Sequence, residues 1–127
     1  MKVSKISAVT LLVSDMKRSI DFYSKIPNFK IVYGGPEAQF TSFLIDDTVK
    51  SYLNLKLNET HSTDFGRIIF YTDDVDDLFT YMQDDKTVSE LGKFESKPQD
   101  AIWGERFFHM LDPDGYKLSF ATPLGNE

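Results

Sequence analysis

"WGERFFHMLDPDGYKLSFATP", from Trp103 to Pro123, decides how this chain is read. Two apolar-rich runs flank Asp112-Pro113-Asp114-Gly115, residues that favour a tight turn. The stretch therefore predicts a β-hairpin. A four-residue turn sets Phe108 beside Ser119, with Arg106 and Met110 on the same side and Lys117 and Ala121 next to Ser119 along its strand. His109 then falls with Leu118, toward the helices, and reads as a hydrogen-bonded core histidine, the alternative being a catalytic base, a role that Glu105 could share in an enzyme. This pairing depends on turn type, because a one-residue slip moves every side chain to the opposite face.

The rest of the chain supplies what the hairpin packs with. Lys5–Val13 is β-rich and mostly apolar, and Ser14 and Asp15 offer N-cap oxygens to a helix over Met16–Ile26. Pro27-Asn28 stops that helix. Phe29–Tyr33, Ala38–Ile45 and Lys50–Leu57 read as strands, the last two joined by a turn at Asp46-Asp47. After a polar linker, Asn58–Asp64, a strand over Arg67–Thr72 leads to Asp73 and Asp74. These can cap a helix in which Val75, Leu78, Phe79 and Met82 are spaced i, i+3, i+4 and i+7. Lys93–Ser96 is a short strand candidate, and Lys97–Ile102 reads as a loop before the final hairpin.

Both halves thus run β, α, β, β, β, the mark of an internal repeat. The offset that carries Asp15 onto Asp74 also carries Ala8 onto Arg67. The turn residues Asp46 and Asp112 correspond, and beyond them Asn54 falls opposite Ser119. The expected fold class is α+β, one domain over residues 1–127, with module one at about 5–57 and module two at about 65–123.

Composition narrows the function. Fourteen Lys and Arg against 20 Asp and Glu leave a formal charge of −6, which argues against nucleic acid. The absence of cysteine excludes thiol nucleophiles, disulfides and thiolate metal sites. Nothing reads as a signal peptide or a membrane span, so the cytoplasm is the expected location and no membrane partner is expected. Eleven Phe fill a core or line an apolar cleft. The runs Asp73-Asp74 and Asp76-Asp77 read as helix capping and dipole pairing rather than a metal loop. No Gly-rich phosphate loop and no Ser-His-Asp arrangement can be argued.

Two βαβββ modules, a capped first helix carrying "SIDFY", and the terminal "WGERFFHMLDPDGYKLSF" resemble the vicinal oxygen chelate superfamily. That superfamily includes glyoxalase I, extradiol dioxygenases, fosfomycin-resistance enzymes and bleomycin-resistance proteins. The resemblance spans Lys5 to Pro123. It implies eight strands in an open half-barrel with helices outside and a ligand on the concave face. It also implies, for metal-using members, ligands in the first and last strands of each module. Those positions fall at Ala8, Asn54, Arg67 and Ser119. Ala8 has no lone pair, Arg67 is a permanent cation, and Asn54 and Ser119 are weak neutral donors. Glu59 and His61 in the linker and Glu105 at a strand start do not replace them. The resemblance therefore points to the metal-free, bleomycin-resistance-like branch, which "AIWGERFF" before "DPDG" is similar to, with no metal and no cofactor.

The expected ligand-binding residues are Arg67, Asn54, Ser119, Tyr52, Tyr71, Trp103, Arg106 and Phe108, with no catalytic residue assigned. Strand alternation groups Arg67 with Ile69 and Tyr71, Asn54 with Tyr52 and Lys56, and Ala8 with Thr10 and Leu12. Arg67 either clamps an anionic group or pairs with an acid such as Glu59. Trp103 either stacks on a flat ligand or closes the core or a dimer seam. Tyr52 and Tyr71 donate hydrogen bonds or serve as plain wall.

Three functions compete. The first is a metal-independent small-molecule-binding protein that sequesters a drug or toxin. The second is a glyoxalase-type lyase or isomerase, or a dioxygenase-related enzyme, with a non-standard site. The third is an interaction module acting only as a dimer. A homodimer is implied by the resemblance and by the apolar surface that an open half-barrel leaves.

Overall fold

The computed structural model describes residues 1, 5–59, 63–64 and 66–125, and the chain divides into two compact units, residues 1–61 and 62–127. Residues 60–62 of the expected linker, His61 among them, lie outside the described residues.

In the first unit, β1 (Ala8–Val13) leads into α1 (Met16–Tyr23), followed by β2 (Lys30–Tyr33), β3 (Phe40–Asp46) and β4 (Ser51–Leu57). The sheet order is β1-β4-β3-β2, with β1 parallel to β4 and the other pairs antiparallel. Asp15 is extended, and its carboxylate accepts the Arg18 N–H at 3.0 Å, which starts α1. The helix ends at Tyr23, three residues short of the expected Ile26. The N–H groups of Lys25 and Ile26 bond back three residues, to Phe22 and Tyr23, tightening the chain ahead of Pro27. Gly34 has φ of +80°, and a Cβ there would collide with the Phe40 carbonyl.

Alternation sorts the strands into two faces. Leu11, Val13, Thr41, Phe43, Leu53 and Leu55 are buried. They share their layer with Met16, Ile20, Phe22 and Tyr23 of α1, whose Tyr23 ring lies 6.3 Å from Phe43. The other face, bearing Thr10, Ser42, Tyr52 and Asn54, carries no helix of its own unit.

In the second unit the elements are β5 (Arg67–Tyr71), α2 (Val75–Asp84), α3 (Lys86–Leu91), β6 (Lys93–Phe94), β7 (Gln99–Asp100), β8 (Glu105–Leu111) and β9 (Lys117–Pro123). The order is β5-β9-β8-β6, with β5 parallel to β9 and β7 also paired to β8. The α+β class holds, with sheets of four and five strands. The fifth strand in the second sheet corrects the loop reading of Lys97–Ile102: Gln99 and Asp100 pair with Phe107 and Arg106. The helix α3 was also not expected. Asp85, extended at the end of α2, accepts the Val88 N–H and starts a new helix where the first pattern ends.

Among the described residues, Phe22, Phe43, Phe108 and Phe120 are core, and ring contacts tie others to them. Phe79 of α2 lies 5.1 Å from Phe108 and 5.2 Å from Phe94, and Phe120 lies 5.2 Å from Phe108 and 5.3 Å from Phe70. The repeat is visible in the register itself. Thr10 pairs with Asn54 in the first sheet and Ile69 with Ser119 in the second, each in a first strand parallel to a last strand.

The two helix caps should behave as equivalents. Asp15→Ala and Asp74→Ala are each expected to lower unfolding free energy by about 1 kcal/mol, with Asn at either position restoring most of it. Chemical denaturation of the four variants checks this.

Candidate ligand-binding faces

The final hairpin turns differently from the expectation, and the difference rearranges the site. Gly115 N–H donates to the Asp112 carbonyl at 3.0 Å, and Gly115 sits at φ +96°. The Asp112 side chain accepts N–H groups from Asp114 and Tyr116, both at 2.9 Å, and Asp112 N–H donates to the Tyr116 carbonyl at 3.0 Å. Asp112 and Tyr116 are therefore the facing pair, bridged by three residues with glycine supplying the left-handed position. The expected four-residue turn had placed Phe108 against Ser119. The observed register pairs His109 with Ser119, Phe108 with Phe120 and Met110 with Leu118.

Three placements are corrected by that shift. Phe108 and Met110 are fully buried on the helix side. Arg106 pairs with Thr122, and its guanidinium bonds Asp76 of α2 at 3.0 Å and Asp100 of β7 at 3.0 Å, tying helix to sheet. None of the three shares a face with Ser119. His109 is not a core histidine: it lies on the Ser119 face, between Phe107 and Ser119.

On that face the polar groups form one chain. Arg67, opening β5, donates from one guanidinium nitrogen to the Leu118 carbonyl at 2.9 Å and to Ser119 Oγ at 3.2 Å. Ser119 Oγ lies 2.6 Å from His109 Nδ1. The other Arg67 terminal nitrogen stands 3.8 Å from Glu95 Oε1, so its acidic neighbour is Glu95 rather than the expected Glu59. Burial, then the Arg67 charge, pulls the His109 pKa below its ordinary 6.5, and Glu95 partly opposes this.

An aromatic row continues from this cluster. The His109 ring is 4.7 Å from Phe107, which stacks with Trp103 at 5.8 Å. Trp103 is 69% exposed and donates its indole N–H to Glu105 at 2.9 Å. Tyr71 and Ile69 lie exposed on β5. Sequence reasoning missed Phe107 here, set His109 on the opposite face, and missed Glu95. The signal that could have found the first two was Gly115, whose bulge position reverses the faces of β8.

The helix-free face of the first unit centres on an uncharged ladder, with Lys56 further along β4. Asn54 donates its amide to Thr10 Oγ1 at 3.2 Å and accepts from the Ser42 hydroxyl at 2.6 Å, a ladder across three strands. Tyr52, half-buried, lies two residues before Asn54 and pairs with Ala8.

These side chains do not fit a divalent cation at the positions where the resemblance implies ligands. Ala8 offers nothing, Asn54 spends its amide on Thr10 and Ser42, Arg67 brings positive charge, and the Ser119 oxygen is engaged by Arg67 and His109. Among the described residues no group of three or more His, Asp or Glu gathers into a metal-binding cluster.

The two repeated modules and this arrangement define a protein of the vicinal oxygen chelate type. The chain belongs to the glyoxalase/bleomycin resistance protein/dioxygenase superfamily, whose family model matches residues 5–120. No curated protein matches the sequence.

Solved structures resemble its fold. A genomically encoded fosfomycin resistance protein, FosX, from Listeria monocytogenes is 17% identical, with a TM-score of 0.74 and coverage of 98% of this chain and 96% of its own. A lactoylglutathione lyase from Agrobacterium tumefaciens is 20% identical, with a TM-score of 0.72 and 96% coverage of both chains. A glyoxalase/bleomycin resistance protein/dioxygenase family enzyme from Burkholderia phytofirmans PsJN is 18% identical, with a TM-score of 0.72, covering 95% of this chain and all of its own.

The lowered His109 pKa has a consequence for stability. The unfolded chain takes up the imidazole proton at higher pH than the folded one, so this contribution is complete above 6.5 and is lost as pH falls through the folded value. Denaturation midpoints measured against pH should show this loss, and His109→Gln should remove that part of the slope.

Proposed function

We propose that this chain is a metal-independent small-molecule-binding protein of its superfamily, on the bleomycin-resistance-like side, sequestering a drug or toxin rather than transforming it. The observation that supports this reading is the donor set at the four ligand positions: a methyl group, a cation, an amide and a hydroxyl, the last three already bonded within the protein. Recognition then relies on apolar area and hydrogen bonds: exposed Trp103 offers the first and half-buried His109 the second, with buried Phe107 packed between them. The Arg67 charge is held against Ser119, the Leu118 carbonyl and Glu95, so an anionic group is not required of the ligand.

Calorimetric titration with a panel of flat drugs and bleomycin, run with and without EDTA, tests this. Stoichiometric binding that chelation leaves unchanged is the expected result. Binding that needs added nickel, zinc or manganese would overturn the metal-independent reading, and turnover of the methylglyoxal–glutathione hemithioacetal would replace it with the lyase reading. The position of His109 on an open sheet face is the one observation favouring that second reading, since it offers an imidazole to a bound molecule.

The binding form in this reading is a cytoplasmic homodimer. Exposed Tyr33, Ile69, Tyr71 and Trp103 give apolar surface for a two-fold partner. Light scattering is expected to return twice the chain mass, and a monomer at micromolar concentration would contradict it.

A further inference from the structure

We infer that Arg67 and Ser119 lock His109 in the tautomer protonated at Nε2, and that this N–H is the donor by which the face selects flat, uncharged ligands bearing a hydrogen-bond acceptor. The inference rests on the reading of this face as a small-molecule surface and adds to it a donor, a tautomer and a ligand class.

The argument is one of hydrogen-bond supply. Arg67 can only donate, so the 3.2 Å contact makes Ser119 Oγ an acceptor there. The Ser119 proton then needs an acceptor of its own. Among the described residues the sole side-chain acceptor that bonds this hydroxyl is His109 Nδ1, at 2.6 Å. Were Nδ1 protonated, in either the other neutral tautomer or the imidazolium, Ser119 would face two donors and its own proton would be stranded in a site only 2% exposed. The directed chain is therefore Arg67 N–H to Ser119 Oγ, then Ser119 O–H to His109 Nδ1. The imidazole proton is left on Nε2, which has no partner among the described residues.

The neighbours define what that proton meets. Phe107 lies 4.7 Å from the imidazole and Trp103 stacks beyond it, so the imidazole ends an aromatic row. A planar ring resting on that row and carrying a carbonyl oxygen or a pyridine-type nitrogen at its edge satisfies both features. A ring bearing only donors, or a cationic ring, does not, although the chain's net charge of −6 attracts cations.

The test uses full-length, uniformly 15N-labelled protein at pH 8 and two probes of one shape. Isoquinoline is neutral there and carries an acceptor, whereas N-methylisoquinolinium has the acceptor blocked and a positive charge. Long-range 15N–1H correlation of the free protein, with His109→Gln used to assign signals among the two histidines, is expected to show the Nε2–H pattern. Ser119→Ala, checked for folding by circular dichroism, should convert it to a mixture of tautomers. Isoquinoline is expected to shift the His109 Nε2 signal and to bind about tenfold tighter than the cation, the scale of one net hydrogen bond. His109→Phe should abolish that preference, and His109→Gln, which keeps an N–H donor, should retain part of it.

An Nδ1–H or imidazolium pattern in the free protein overturns the inference whatever binds. The Nε2–H pattern with equal affinity for both probes, or tighter binding of the cation, removes the donor role while leaving small-molecule binding standing. Failure of both probes to bind removes the donor role together with the binding reading on this face.

Discussion

The turn from Asp112 to Tyr116 sets the chemistry of the second module. The Asp112 carboxylate gathers two backbone N–H groups, and Gly115 supplies a backbone angle that other residues adopt at a cost. An odd number of connecting residues follows, and with it the pairing of β8 with β9. That pairing sends Phe108 and Met110 into the core beneath α2 and brings His109 against Ser119. Because side chains alternate with a period of two, no smaller change could exchange a buried phenylalanine for an imidazole on the open face.

The two modules answer the same structural question differently. Each places its first strand parallel to its last, and at the corresponding pairs the polar residue of the last strand is Asn54 or Ser119. In the first module the amide is consumed by a neutral ladder with Thr10 and Ser42. In the second, the hydroxyl joins a guanidinium to an imidazole. Both arrangements engage the polar atoms that a metal would require, and the second adds a positive charge that repels one. The same bonds hold Arg67 and His109 in fixed positions, and such preorganisation lowers the cost of binding.

The architecture was legible because it rests on local, strongly signalled features. Asp15 and Asp74 announce their helices, and the apolar spacing of Val75, Leu78 and Met82 reports the buried face of α2. The repeat carried Ala8 onto Arg67 and Asn54 onto Ser119, and the strand starts and registers agree with it. What was not legible depended on a single backbone angle or on distant partners. Gly115 decided the hairpin faces, so Arg106 and Phe108 were assigned to the wrong side. Glu95 stands near Arg67 only because β6 returns alongside β8, a tertiary fact with no local trace. The short strand at Gln99–Asp100 lacks any apolar alternation, and its pairing is imposed by β8.

A cross-strand disulfide reads the central register directly, and the cysteine-free chain suits it. The His109 backbone N–H bonds Ser96 Oγ, and its carbonyl accepts from Glu95 and Ser96, so both point away from β9. His109 and Ser119 thus form a non-hydrogen-bonded pair, whose Cα separation of about 4.5 Å suits a disulfide. The double variant His109→Cys with Ser119→Cys is predicted to oxidise to an intramolecular crosslink, while Phe108→Cys with Ser119→Cys stays reduced. Crosslinking of the second pair and not the first would return His109 to the core and end the account of this face.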